Sequence, residues 1–206
     1  MGKHEPLTLP PVNADGGMTL WECLTTRRSV REYGEKPLTL DEFAQLIWAA
    51  QGITARSGEF SFRTAPSAGA LYPLRTYPFV RQVKGVRPGI YYYLPDDHAL
   101  TLAHPGDFSG QLAKAAMGQG FVATAAIVFV WTAIPGPSTW RYGNRGWRYV
   151  YIDAGHAAEN LHLAATALGL GCCAVGAFSD QDVNKLLGVD PHEETVVYMM
   201  AVGRRE

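Results

Sequence analysis

The sequence predicts a single α+β domain, and three observations carry that prediction. The run "YIDAGHAAENLHLAATALGLG" is dominated by alanine, leucine and other small residues, as a long, closely packed helix would be. Two other runs, "AAIVFVWTA" and "TVVYMMAVG", are continuously apolar over strand length. The 206 residues contain no repeat, linker or low-complexity block, so one compact domain accounts for them.

The first elements are helices. The Pro- and Gly-containing residues 1–17 predict an extended N-terminal leader, which leaves 18–206 as the folded domain. Thr19 is placed to cap a first helix through "LWECLTTRRS". In "TLDE", Thr39 and Glu42 have capping-box spacing, and the apolar residues that follow predict a second helix ending near Gly52.

The middle of the chain predicts mainly strands. After a polar loop, a short strand is expected around Arg75–Arg81, and "GIYYYLPDDHALTLA" predicts two strands that turn at residues 95–97. A helix from about Asp107 to Met117 precedes "AAIVFVWTA", whose lack of alternation indicates a strand buried on both faces. A loop rich in Gly, Trp and Arg follows.

The last third alternates helix and strand. The alanine-rich helix is expected to stop at Gly169, and a short strand runs through residues 174–176. Ser179 is placed to cap the helix "DQDVNKLLG", and "TVVYMMAVG" closes the chain as a buried strand.

Composition excludes some classes of function. The chain has 18 Lys+Arg against 19 Asp+Glu, so no field would hold a nucleic acid along its length. The N-terminus lacks the apolar segment of a signal peptide, and no run approaches membrane-spanning length, so the sequence predicts a cytoplasmic protein. Cys23, Cys172 and Cys173 cannot form a disulfide framework and are interpreted as small, reduced core residues.

The stretch "TTRRSVREY" concentrates three arginines in a nearly neutral chain. If the first helix continues through it, Arg27 and Arg31 lie about 40° apart around the helix, with Arg28 on the adjoining flank and Ser29 offering a hydroxyl. Such a group could hold a phosphate through forked, charge-assisted hydrogen bonds. The alternative is a solvated basic helix end that offsets the helix dipole.

The stretch "APSAGALYP" is almost free of groups that perform acid–base chemistry. Its Ser67 resembles a serine nucleophile, but the hydrolase elbow requires glycine where Ala65 stands. The small residues are better suited to a backbone that lies close against something flat or bulky.

Two superficial motif matches are rejected. "GQGFVA" fits the dinucleotide-binding fingerprint, but it precedes a strand and we expect no helix to begin there. His156, Glu159 and His162 invite a metal interpretation, yet the two histidines lie about 120° apart around the helix and no second Glu-x-x-His follows. We therefore predict no metal.

Aromatic and basic residues crowd the stretch "STWRYGNRGWRYVYIDAG". It is either a stacked surface or the wall of a site for a planar ligand, and composition does not choose between them.

Four stretches in this order, "RRSVREY", "RTAPSAGALYP", "YGNRGWRYVYIDAGHAAENLHLAATALGLG" and "AVGRR", resemble the FMN-dependent nitroreductase superfamily. More narrowly, they resemble the streptolysin-associated (SagB/ThcOx-type) dehydrogenases that oxidise thiazolines and oxazolines. The resemblance extends from about Leu9 to Arg205. It implies a nitroreductase-like fold, with a central, mostly antiparallel sheet flanked by helices. It also implies an intertwined homodimer with FMN at each of two interface sites.

The resemblance assigns a role to each segment. The arginine–serine segment would hold the flavin phosphate and the pyrimidine edge of the ring, and residues 66–70 of the other subunit would lie along the cofactor. A backbone contact near flavin N5 and O4 maps onto residues 175–177, and a C-terminal arginine maps onto the phosphate. The cofactor-binding positions implied are Arg27, Arg28, Ser29, Arg31, Pro66, Ser67, Ala68, Gly69, Ala70, Val175, Gly176, Ala177, and Arg204 or Arg205.

Two positions depart from the family pattern. Many nitroreductases have an asparagine where this chain has Ala70, so that side-chain contact to the ring is lost here. The lysine–tyrosine pair of the azoline-oxidising relatives corresponds to Arg141 and Tyr142. An arginine cannot act as a base near neutrality, which argues against azoline oxidation and leaves these two residues to orient a substrate.

The sequence therefore predicts an FMN-dependent oxidoreductase that passes electrons from NAD(P)H to a planar conjugated acceptor such as a nitroaromatic compound or a quinone. One alternative is an azoline dehydrogenase acting on a modified peptide. Another is a non-catalytic flavin-binding or sensing protein. A serine hydrolase using Ser67 is the most distant.

Overall fold

The computed structural model describes residues 5–15, 17–58 and 60–206. Predictions for residues 1–4 and 16 of the leader lie outside that part of the chain. Within it, no helix is both long enough and apolar enough to cross a lipid bilayer.

Seven strands form one antiparallel sheet in the order β1-β6-β5-β4-β7-β9-β8. Two further strands, β2 and β3, form a separate hairpin. The strands are β1 (Leu7–Thr8), β2 (Ile53–Ser57), β3 (Phe60–Arg63), β4 (Leu74–Val80), β5 (Gly89–Leu94), β6 (Ala99–Pro105), β7 (Ile127–Ala133), β8 (Leu170–Val175) and β9 (Thr195–Arg204). Every residue of β7 is buried, as its unbroken apolar run predicts.

Helices cover both faces of the sheet. They are α1 (Leu20–Thr26), α2 (Leu40–Gln51), α3 (Ser109–Ala115), α4 (Gly120–Thr124), α5 (Gly136–Tyr142), α6 (Gly146–Ala167) and α7 (Asp180–Leu187). The apolar core under α2 and α6 lies on one face, and the core under α3, α4 and α7 lies on the other. This layering confirms the predicted α+β fold.

The three predicted N-caps are confirmed, whereas α6 begins at Gly146, five residues before the predicted alanine-rich run. Thr19 and Thr39 each begin a capping box, with Glu22 and Glu42 as the returning side chains, and the Ser179 hydroxyl accepts a hydrogen bond from the backbone of the first turn of α7. The three cysteines are buried free thiols, as predicted.

The prediction that the arginines share a helical face was wrong. Helix α1 ends at Thr26, and Arg27 has an extended backbone with φ −52° and ψ 127°. Residues 28–34 leave the helix because their backbone pairs with the sheet: the Val30 N–H donates to the Cys172 carbonyl at 2.9 Å. Backbone hydrogen bonds to strands β8 and β9 are thus favoured over extending helix α1.

The hairpin and two helices were missed. The hairpin β2–β3 occupies the predicted polar loop, α5 lies in the Trp- and Arg-rich loop, and a helix of five residues does begin at Gly120. The hairpin is mostly exposed on both faces, so it lacks the alternation by which strands are recognised. Helix α4 is too short to show a helical period. It still precedes strand β7, so the order required of a dinucleotide site is absent.

Candidate active site

The arginine segment, residues 27–34, is fixed to the corner of the sheet that edge strand β8 forms with the end of β9, through bridges from Ser29 to Cys172 and from Gly34 to Arg204. The Tyr33 hydroxyl donates to the Val30 carbonyl at 2.9 Å and to the Ala201 carbonyl at 3.2 Å. A Cβ placed on Gly203 would lie 2.7 Å from Cγ of Tyr33, so only glycine lets this ring lie on β9. The glycine of "AVGRR" therefore positions the arginine segment.

Positive charge accumulates at this corner. Among the residues that the structure describes, Arg27, Arg28, Arg31 and Arg205 form no ion pair. The Arg28 guanidinium donates to two backbone carbonyls, and the Arg31 guanidinium lies 5.8 Å from the centre of the Phe121 ring. Cations without carboxylate partners at one place form a potential anion-binding site.

The buried thiol of Cys172 helps to locate two of these arginines. Burial raises the pKa of Cys172 to about 12, and the charges of Arg27 and Arg205 both oppose that shift. Both guanidinium groups therefore lie near the same sulfur. The Arg205 side chain also passes close to Gly171 on β8.

The two C-terminal arginines differ in their partners. Both terminal nitrogens of Arg204 donate to the Glu42 carboxylate at 2.8 Å, and one of them also donates to the Pro37 carbonyl at 3.2 Å. The Arg205 side chain is exposed. Arg204 and Arg205 were the two alternatives for a phosphate ligand. Arg204 already binds the Glu42 carboxylate, so Arg205 is the better candidate.

Helix α6 supports the arginine segment through a histidine. His162 is buried, and its Nε2 lies 3.3 Å from the Arg28 carbonyl oxygen. Burial lowers the pKa of His162, and the hydrogen bond to Arg28 only partly offsets this, so the ring is neutral near pH 7. Within the described ranges, no group of three or more His, Cys, Asp and Glu side chains is arranged to hold a metal ion.

Residues 175–177 follow the other end of β8, where Val175 pairs with Met199 of β9. Strand β8 ends at Val175, and the next two residues, Gly176 and Ala177, are exposed. The Gln119 side chain donates to the Ala177 carbonyl at 3.0 Å and so fixes this turn beside α4. The predicted N5-contact segment and the arginine segment therefore both border α4, since the Arg31 guanidinium lies over Phe121 and Ala177 is held by Gln119.

The small-residue loop lies elsewhere, against α6. The Ser67 hydroxyl donates to Oδ2 of Asp153 at 2.6 Å, and the Ala68 N–H lies 3.4 Å from Oδ1 of the same carboxylate. Burial raises the pKa of Asp153 despite these hydrogen bonds. The sequence analysis did not single out Asp153, although one aspartate on an otherwise buried stripe of an alanine-rich helix was the available signal.

Arg141 and Tyr142 pack on this loop. A Cβ placed on Gly69 would lie 2.5 Å from the Tyr142 hydroxyl and 3.0 Å from a terminal nitrogen of Arg141. Tyr142 also meets Tyr149 edge to face, with ring centres 4.9 Å apart. The predicted substrate-side pair and the predicted cofactor loop therefore form one surface. A shallow recess of about 720 Å³ opens near it along α6, lined by Asn144, Arg145, Arg148, Tyr151 and Ile152.

The loop and the arginine corner are separated within one chain. Asp153, which holds the loop, and His162, which holds the arginine segment, are nine residues apart on α6. At 100° and 1.5 Å per residue they lie about half a turn apart around the helix and about 13 Å apart along it. The helix itself therefore stands between the two predicted walls of the site.

A separate cavity of about 1280 Å³ contains none of the predicted site residues. It lies between strands β4–β6 and residues 187–194. At its floor the Arg75 guanidinium donates to the buried Glu194 carboxylate at 2.6 Å. The charge of Arg75 is thus neutralised by Glu194, and this distinguishes the cavity from the arginine corner.

Comparison with known proteins identifies relatives along the whole chain. The nitroreductase family model matches residues 24–204. A provisionally named nitroreductase of Methanocaldococcus jannaschii is 42% identical over 205 residues, which cover 100% of this chain and 99% of that protein. The trifolitoxin-processing protein TfxB of Rhizobium leguminosarum bv. trifolii is 28% identical over 155 residues, covering 73% of this chain and 42% of that protein.

Solved structures share the architecture. A provisionally named nitroreductase from Ralstonia eutropha JMP134 superposes with a TM-score of 0.84 and 27% identity, covering 100% of this chain and 92% of that one. The NADPH:FMN oxidoreductase of Vibrio harveyi, complexed with NAD+, has a TM-score of 0.63 and 20% identity over 90% of this chain and 68% of its own, which shows a shared fold. The family match over most of the chain and the full-length relative show that this protein belongs to the nitroreductase family.

Proposed function

We propose that this nitroreductase-family oxidoreductase binds FMN and passes electrons from NAD(P)H to a planar conjugated acceptor such as a nitroaromatic compound or a quinone. The observation that carries the proposal is the arginine corner, where four arginines form no ion pair among the described residues and one of them, Arg31, borders α4 together with the exposed turn after β8. A planar cofactor that carries a phosphate would supply the negative charge that these guanidinium groups can bind.

The phosphate is assigned to Arg27, Arg28 and Arg205. Guanidinium groups bind phosphate oxygens through paired, charge-assisted hydrogen bonds, and these three form no ion pair with a carboxylate among the described residues. Ser29, which is exposed within this segment, adds a hydroxyl donor. Arg204 instead supports the site by joining the end of β9 to α2.

The ring is assigned to Arg31 and to the backbone of residues 175–177. When bound, FMN supplies the hydride and electron chemistry. Arg31 would stabilise negative charge on the reduced ring, and an N–H from the turn would hold the hydrogen-bonding state at N5. The protein needs no acid–base pair of its own, which agrees with the scarcity of acid–base groups within "APSAGALYP".

The second wall of the site is assigned to a second copy of the chain. Because α6 separates the loop at residues 66–70 from the arginine corner of the same chain, one cofactor is better enclosed by the corner of one subunit and the loop of the other. Exposed apolar side chains on α1 and α6 offer the surface for this homodimer: Leu20, Trp21, Leu24, Tyr151 and Ile152. Arg141 and Tyr142, which contact the loop, would then orient the substrate.

The absorbance spectrum of the purified protein tests the proposal. We expect the two bands of oxidised flavin, release of FMN on denaturation, and bleaching by NADH or NADPH. Replacing Arg27 and Arg28 with alanine should weaken FMN binding by about a hundredfold, since each removes a charged hydrogen-bond donor.

Replacing Lys84 and Arg87, two exposed cations at a different site, with alanine changes the net charge equally and should leave FMN affinity unchanged. A colourless protein that cannot be reconstituted with FMN would refute the proposal. Flavin that NAD(P)H never reduces would instead indicate a non-catalytic flavin-binding role.

A second candidate is a dehydrogenase acting on a modified peptide. The similarity to the trifolitoxin-processing protein favours it. Arg141 opposes it, because a guanidinium at the predicted base position cannot accept a proton near neutrality. Oxidation of an azoline-containing peptide without NAD(P)H would support this candidate over the first.

A further inference from the structure

The loop from Ser67 to Tyr72 has an unusual backbone. Gly69 has φ +62°, and the non-glycine residues Ala70 and Tyr72 have φ +54° and +46°. A left-handed backbone at a residue with a side chain is unfavourable, so it persists only where the surroundings impose it. Something outside the loop must therefore hold it.

A carboxylate holds the start of the loop. Asp153 is buried on α6 and accepts the Ser67 hydroxyl at 2.6 Å and the Ala68 N–H at 3.4 Å. The Ser67 oxygen in turn accepts the Tyr72 N–H at 2.9 Å, which closes the loop on itself. One buried carboxylate thus orders both ends of a turn that contains three left-handed residues.

A guanidinium holds the other side. The Arg63 guanidinium carbon lies 4.9 Å from the centre of the Tyr72 ring. The backbone N–H of Arg63 also donates to the Tyr72 hydroxyl at 3.3 Å. The Arg63 side chain is anchored by a 2.6 Å hydrogen bond to Gln51 at the end of α2. The network therefore joins α6, the loop, the β2–β3 hairpin and α2.

Both anchors are placed at an electrostatic cost. Neither Asp153 nor Arg63 forms an ion pair within the described residues, and Nε of Arg63 is buried without a hydrogen-bond partner. Burial raises the pKa of Asp153 and lowers that of Arg63, as expected for charges removed from water. Such costs persist mainly where a defined geometry is needed.

We propose that Asp153 and Arg63 are positioning residues, which hold loop 67–72 in the strained conformation that presents its backbone to the flavin and Gly69 to Tyr142. This inference rests on the proposed FMN site. Neither residue is assigned contact with the cofactor. Each acts through Ser67 or Tyr72.

The test compares Asp153→Asn and Arg63→Met with Thr132→Val as a control. Asparagine keeps the size of Asp153 but can accept only one of its two hydrogen bonds, and methionine removes the charge of Arg63. Thr132 is fully buried and donates to Glu194 at 2.5 Å. Thr132→Val removes that hydrogen bond, so it should lower the free energy of unfolding without changing the loop. We expect FMN dissociation constants to rise about tenfold to a hundredfold in the two test variants and to stay unchanged in the control.

Hydrogen exchange of the apoprotein provides a readout that needs no flavin. The Tyr72 and Ala68 amides should lose protection in Asp153→Asn but not in Thr132→Val. Folded variants with wild-type protection and wild-type FMN affinity would overturn the inference. A wild-type protein that binds no FMN would refute the proposed function. Hydrogen exchange of the apoprotein would still test whether Asp153 anchors loop 67–72.

Discussion

Arg204 and Arg205 are adjacent in sequence, yet their surroundings give them different roles. Arg204 is partly buried against Glu42, whereas Arg205 extends into solvent beside the arginine segment. An ion pair that has been partly removed from water contributes to folding, and an unpaired surface cation is free to bind an anion.

Replacing these two arginines separately distinguishes the roles. Arg204→Ala should lower the free energy of unfolding by about 1–3 kcal/mol, because it leaves the Glu42 carboxylate without its main partner. Arg205→Ala should leave stability within about 0.5 kcal/mol of wild type but raise the FMN dissociation constant about tenfold. Urea unfolding and flavin fluorescence titration measure the two effects. The opposite pattern would move the phosphate ligand to Arg204.

Glu42 also predicts a dependence of stability on pH. Burial alone would raise the pKa of Glu42, but hydrogen bonds from Arg204 and Thr39 and the charge of Arg204 together lower it below its ordinary value of 4.5. A carboxyl with a lowered folded-state pKa stabilises the protein fully above pH 4.5 and loses that contribution as the pH falls through the folded value.

Glu42→Gln should therefore flatten the acid side of the stability curve below about pH 4.5 and lower stability at neutral pH. Thermal unfolding between pH 3 and pH 7, roughly the range over which carboxyl groups titrate, measures this change. Equal loss of stability at every pH would show that Glu42 contributes through packing rather than charge.

At the scale of elements, the segment after α1 shows how tertiary pairing overrides local preference. Spacing alone places the arginines on a helix, but the backbone of Val30 pairs with β8 and Tyr33 lies on β9. The partners for these hydrogen bonds are more than a hundred residues away along the chain. Capping motifs were predictable because each is complete within four residues.

The docking of this segment depends on Gly203. Gly203→Ala should displace the Tyr33 ring, lower the free energy of unfolding by about 1–3 kcal/mol and weaken FMN binding, since the arginines move with the segment. Gly110→Ala, in α3 with no atom within 4 Å of the new Cβ, should be neutral or stabilising. Differential scanning calorimetry and FMN titration test both variants. Unchanged FMN affinity in a destabilised Gly203→Ala protein would separate the arginines from this support.

At the scale of the molecule, the proposed site belongs to two subunits, and mixing defective subunits tests that arrangement. One variant lacks the corner (Arg27→Ala with Arg28→Ala), and the other has a damaged loop (Gly69→Val), because a side chain there would strike Tyr142. If each site combines the corner of one subunit with the loop of the other, random re-association should restore about a quarter of wild-type flavin sites. Light scattering would check that the mixed protein is dimeric. If the mixtures bind no more FMN than the separate variants, the arginine corner and the loop of each site belong to the same chain.

The sequence by itself determined the elements whose signals are local. These are the capped helices, the buried strand β7, the long alanine-rich helix and, through four ordered motifs, the family. It also singled out the arginine segment, the small-residue loop and the pair Arg141 and Tyr142.

Only the tertiary structure decided how those parts meet. It placed Arg204 against Glu42, whereas Arg205 forms no ion pair among the described residues. It also revealed Asp153 and His162 as supports on one helix and set the loop and the arginine corner on opposite sides of that helix. The physical reason is that hydrogen bonds and charge pairing between distant segments depend on which surfaces packing brings together, and no residue spacing within one segment encodes that.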